Sequence, residues 1–140
     1  MADLDPLIRV RKHAIDQKQK FLAELYRQAE ELERQKQGLL DQMQKEKDAI
    51  ADMGAEMMGF FGSYAQSVKQ RVEDIDDSRQ RLETRITAAQ EDIRDAFADM
   101  KKIEMVKEQR EEEEQRERDK KESNILDEIG IDSFLRNSEE

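Results

Sequence analysis

The chain has 140 residues, 43% of them Asp, Glu, Lys or Arg, and a formal net charge of -10. At 36% hydrophobic and 5% aromatic residues it is too polar for a thick globular core, and the absence of cysteine rules out disulfides, thiolate nucleophiles and Cys-based metal sites. The negative charge repels phosphates, which excludes nonspecific nucleic-acid binding.

The abundance of Ala, Glu, Lys, Leu, Arg and Gln points to long helices or coiled coil. Disorder is the competing reading, and periodicity decides between them. The first residues, "MADLDPLIRVRKH", lack the sustained apolar region of a signal peptide. No run approaches the ~20 apolar residues of a membrane span. The expectation is therefore a cytoplasmic chain without stable membrane insertion.

The first predicted helix runs over about 6–53. Pro6 suits a first helical turn, with Asp5 before it as a candidate N-cap. Apolar residues recur in heptads. One series is Ile8, Ile15, Leu22, Ala29, Lys36, Met43, Ile50. The other is Leu4, Arg11, Lys18, Leu25, Leu32, Leu39, Glu46, Met53. Phe21 and Tyr26 flank this stripe.

The stretch "MGAEMMGFFGSY" (53–64) interrupts the pattern with Gly54, Gly59 and Gly62. It is read as a tip over 54–62. A second helix follows over about 63–122, also in heptads. One series is Phe61, Val68, Ile75, Leu82, Ala89, Ala96, Ile103. The other is Ala65, Val72, Arg79, Ile86, Ile93, Met100, Lys107.

Two such patterns joined at a glycine-rich break predict an all-α fold, a long antiparallel two-helix coiled-coil hairpin. In that register Leu25 faces Ala89, Ala29 faces Ile86, and Leu32 faces Leu82. Lys36 falls opposite Arg79, and their long stems are expected to reach outward to acids such as Glu33, Asp76 and Glu83. A slip of seven residues stays open at this point. So does a dimer of long helices in place of a monomeric hairpin. At ~1.5 Å per residue the longer helix would approach ~90 Å, giving a thin rod.

After Val106 the apolar stripe stops, at "KEQREEEEQRERDKKES". This is read as a charged helical overhang that has outrun its partner. Residues 1–123 form the hairpin in this reading, and 124–140 form an acidic, flexible tail. Ile125, Leu126, Ile129, Ile131, Phe134 and Leu135 make the tail either a short amphipathic docking segment or a strand of chain folded back on Leu4–Val10.

Catalytic chemistry finds little support. His13 is the single histidine and lies in a basic helical stretch. The acidic "DIDD" (74–77) sits on a continuous helix, without the glycine and ligand spacing of a calcium loop. Neither GxxxxGK nor GxGxxG occurs. No enzyme, cofactor or metal is expected. Two surfaces are suited to proteins. One is the basic N-terminal run of Arg9, Arg11, Lys12, Lys18 and Lys20, which fits an acidic partner or else balances the acidic second helix. The other is the apolar tip of Met57, Met58, Phe60, Phe61 and Tyr64, which marks a contact site or else folds over its own last layer.

These residues resemble the FliJ family of flagellar type III export components, which is similar to the YscO-like proteins of virulence secretion systems. The resemblance rests on "LIRVRKHAIDQKQKFLAELYRQ" (7–28), the hairpin pattern and the charged end of the second helix. It implies a non-enzymatic stalk, similar to the central stalk of rotary ATPases. Such a stalk inserts its terminal end into a hexameric export ATPase (FliI-like) and promotes ring assembly and activity. Its far end contacts the cytoplasmic domain of the export gate (FlhA-like), and the family also binds export chaperones. The place implied is the flagellar export apparatus, on the inner face of the membrane.

Carried over, the ring-facing segment falls on Arg11 to Leu22. The candidate ring contacts are Arg9, Arg11, Lys12, Ile15, Lys18 and Leu22. The gate-contacting face falls near Ser67, Arg71, Asp74 and Ser78, where this chain is more polar than the family pattern. The apolar tip just before it is expected to take over, so the candidate gate contacts are Met57, Met58, Phe60, Phe61, Tyr64, Ser67 and Arg71. Two other readings remain: a general export chaperone that does not engage the ring, and a coiled coil that self-assembles through its seams.

Overall fold

The computed structural model describes residues 3–139. It is all-α: α1 (Asp5–Ile50) and α2 (Ala55–Glu139) pack against each other as a helical hairpin. The described residues group into two compact units. One joins the start of α1, up to Lys12, with α2 from Phe97 onward; the other comprises His13–Ala96.

In the first unit α1 begins at Asp5 itself, one residue earlier than a cap there would place it. Asp3 supplies the cap: its Oδ1 accepts a hydrogen bond from the Asp5 amide at 3.0 Å. The Ile8 amide donates the first helical bond to the Leu4 carbonyl. Pro6 therefore sits in the first turn, where its missing N–H costs nothing. Asp5 instead reaches across to α2, where Lys107 Nζ lies 2.5 Å from its carboxylate. Ile8 is buried, and Leu4, Met100 and Ile103 are half-buried.

The Lys107 contact holds the Asp5 carboxyl below the ordinary carboxylate range, by hydrogen bonding first; desolvation opposes this lowering, and the Lys107 charge adds to it. A depressed acid contributes stability above its unfolded pKa and loses it as pH falls through the folded pKa. The tie between Asp5 and Lys107 should thus persist into mildly acidic solution and break only below the usual Asp range. An NMR titration of the Asp5 carboxyl should show this low midpoint, and Lys107→Gln should move it back up. An unmoved midpoint in that variant would contradict the assignment.

In the second unit the heptad seam is the core. Leu25, Leu82, Ile86 and Ala89 form one buried cluster, with Leu22, Ala29 and Leu32 packed against it. Both members of three expected facing pairs belong to that cluster or pack against it: Leu25 with Ala89, Ala29 with Ile86, Leu32 with Leu82. Among the named seam positions of α2 in this unit, every one is buried or half-buried. Those of α1 follow, except Glu46, which is exposed, at the fraying end.

The basic layer is resolved as the long stems allow. Arg79 Nη1 donates to Glu33 at 2.6 Å, and Lys36 Nζ to Asp76 at 2.9 Å. Each base lies on the same helix as the other's acid, three residues away. Two like charges in one seam layer become two cross-helix ion pairs. Flanking the seam, the Arg85 guanidinium lies 6.0 Å from the Phe21 ring centre, and Gln90 Nε2 donates to the Tyr26 hydroxyl at 2.6 Å.

The turn differs from the expected 54–62. Only residues 51–54 leave the helices. The Met53 amide bonds the Ile50 carbonyl, and the Gly54 carbonyl accepts from Met57 and Met58 to start α2. Gly59 and Gly62 lie inside α2, and no described glycine has positive φ. The first helix likewise ends at Ile50 rather than about 53. A glycine in a helix interior costs only about 1 kcal/mol relative to alanine, which flanking helix formers override. A Cβ at Gly59 or Gly62 would meet nothing within 4 Å. Gly59→Ala and Gly62→Ala should each therefore raise the unfolding free energy by about 0.5–1 kcal/mol. Denaturant unfolding followed by circular dichroism checks this, and a loss of stability would contradict the helical assignment.

The second helix also does not stop near 122. It continues through Gly130 to Glu139. Residues 111–138 are exposed throughout, as are Leu7 and Val10. The tail is helical and is not folded back on the Leu4–Val10 segment.

Candidate functional site

Two surfaces suit binding, and each is built on a helix end that the seam leaves uncovered. On α1, Ile8 turns inward, whereas Arg11, expected in the second heptad series, does not join the seam, since its charged head is left in solvent. Arg9, Arg11 and Lys12 are exposed. None of the three has an ion-pair partner among the described residues. Leu7 and Val10 lie exposed among them. This is a cationic surface with an apolar component.

The other candidates carried over onto α1 lie in the second unit. Ile15 is 4% exposed and Leu22 packs on the buried cluster, so both serve the seam. Lys18 is half-buried and its Nζ lies 2.6 Å from Asp92. Composition had hidden this pairing, although Asp92 sits beside the seam residue Ile93. His13 is exposed.

At the turn, residues 51–60 are all exposed. The first turn and a half of α2 therefore projects without a partner, carrying Met57, Met58 and Phe60. Phe60 is 72% exposed. Phe61 is half-buried, and its ring lies 6.2 Å from that of Tyr64, tilted by 53°. Phe61 turns partly inward, while Tyr64 stays exposed beside it. Met57, Met58 and Phe60 form the free part of the tip. Ser67 and Arg71 are exposed further along α2. Sequence spacing alone could not sort these side chains, because the true start of α2 sets their direction.

The acidic "DIDD" stretch is spent on structural contacts. Asp76 takes Lys36, and Asp74 accepts from Gln70. Among the described residues no group of His, Cys, Asp or Glu is placed to hold a metal ion. No described helix is long and apolar enough to cross a membrane. What the two surfaces can do chemically is bind: one by charge and apolar contact, the other by apolar contact alone.

A family model described as the flagellar FliJ protein matches residues 1–139 of the chain. No curated protein and no solved structure matches it.

Proposed function

Because the chain belongs to the FliJ family, whose role is in flagellar export, we propose that it is the non-enzymatic stalk and adaptor of the flagellar type III export ATPase. The observation that carries this reading is the family match over residues 1–139, joined to a helical hairpin with a cationic surface at the start of α1. In this reading Arg9, Arg11 and Lys12 face acidic groups of a FliI-like hexamer and favour its assembly. Their unpaired state supports the role, since no internal ion pair has to be broken on binding. Ile15 and Leu22 act indirectly, by holding α1 on α2.

The free tip of Met57, Met58 and Phe60 contacts the cytoplasmic domain of an FlhA-like gate. Methionine adapts to irregular partner surfaces, and Phe60 offers a large apolar anchor. Export chaperones are further partners of the same protein. The site of action is peripheral, at the export apparatus on the inner face of the membrane.

The experiment is photocrosslinking from two positions, Val10 and Phe60, with ATPase and gate domain both present. Val10 should give adducts with the ATPase and Phe60 with the gate domain. An ATPase adduct from Phe60 with none from Val10 would overturn the polarity. No adduct with the ATPase from either would overturn the stalk role.

A further inference from the structure

The C-terminal part of α2 is a further exposed surface, and the candidate ring and gate contacts include none of its residues. Residues 111–138 are exposed throughout, and the segment 122–140 carries six acids against Arg136 alone. At about 100° per residue, Ile125, Leu126 and Ile129 share one side of the helix, followed on that side by Asp132. Ile131, Phe134 and Leu135 lie on the opposite side. Leu126 is 67% exposed.

The partner this surface fits is present in the chain itself. Leu7 and Val10 are exposed, 65% in the case of Val10, and Arg11 follows them on the same side of α1. Arg9 and Lys12 add charge, with no acid between residues 7 and 12. Both surfaces read apolar first and charged second along the chain, and their charges are opposite. The apolar tip around Phe60 offers no such match, because its charged neighbours Asp52 and Glu56 are acidic.

A chain cannot make this contact with itself. Asp5 is tied to Lys107, and α2 continues as helix to the tail. Ile125 is eighteen residues further on, about 27 Å beyond Lys107 at ~1.5 Å per residue. The occupant must be another molecule with the same pair of surfaces. We infer that two copies of this chain associate through their open ends, the Ile125–Leu126–Ile129 stripe of each docking on Leu7 and Val10 of the other, with Asp132 against Arg11. The contact is reciprocal, so it closes as a two-fold dimer. It covers Arg11, while Arg9 and Lys12 lie on the other flank of α1; on the stalk reading above, self-association and ATPase binding then compete for Arg11.

Sedimentation equilibrium of the full chain alone tests this, from micromolar to submillimolar concentration. Wild type should approach twice the chain mass at low salt and dissociate at about 0.5 M salt, where screening removes exposed charge attraction. Ile125→Ala with Ile129→Ala should weaken the dimer at least tenfold. Asp132→Lys should weaken it, and Asp132→Lys with Arg11→Glu in one chain should restore it. Phe134→Ser, on the opposite side, should leave it unchanged. All five sites are exposed, so helicity should hold, and circular dichroism checks it. A monomer at every concentration overturns the inference. So does a dimer untouched by the Ile125 and Ile129 changes, one lost with Phe134→Ser, or a charge swap that does not restore it. No ATPase is present in these measurements, so their outcome is independent of the stalk role.

Discussion

Leu25→Ala is expected to lower the unfolding free energy by about 2–5 kcal/mol, the range for a buried leucine cut to alanine. Leu25 is 1% exposed and joins Leu82, Ile86 and Ala89 in the buried cluster. A two-helix seam has no second layer to refill the space, so the transfer loss and the cavity both count. Water is close by, and partial collapse of the helices moves the value toward the lower part of that range. Leu135→Ala is the control. Its side chain is exposed, and the change should stay within about 0.5 kcal/mol. Urea unfolding of the two variants decides the matter: equal losses would mean that the seam is not the core.

The second large effect concerns the start of α1. Reversing Arg9, Arg11 and Lys12 to Glu should weaken binding to the export ATPase at least about a hundredfold. Placing like charges together in an interface costs several kcal/mol, and each 1.4 kcal/mol is a factor of ten. The fold should survive, since all three side chains are exposed and have no ion-pair partner among the described residues. Wild-type binding should also weaken as salt rises. Full affinity in the reversed variant would make the basic surface a solvated face and nothing more.

Much of the hairpin was legible in the heptads because a two-helix seam has few competing solutions. Seam residues must be apolar and must recur every 3.5 residues, and few other arrangements bury Leu22, Leu25, Leu32, Leu82 and Ile86 together. Even the awkward layer could be read. Lys36 opposite Arg79 demanded acids within reach of long stems, and Glu33 and Asp76 take those places.

The ends were less legible. Gly59 and Gly62 looked like bends, yet a glycine permits a turn without requiring one, and both are helical. Gly130 likewise failed to end α2. The fold-back of the tail could not be judged from apolar content, since the same residues serve docking and packing. At the candidate ring surface, the family resemblance marked a segment of chain without separating its two sides. Ile15 and Leu22 proved to face the seam, while Arg9, Arg11 and Lys12 face outward. At the tip, the start of α2 at Ala55 rather than near 63 decides which of Phe60 and Phe61 is free.

The central claim is that this chain acts on the export ATPase without being an enzyme itself. Its most direct measurement adds the purified chain to the cognate ATPase and follows hexamer formation by light scattering and ATP hydrolysis by phosphate release. The account predicts that both rise with the chain present and that the chain alone hydrolyses nothing. Hexamer content and hydrolysis unchanged at saturating chain would contradict it.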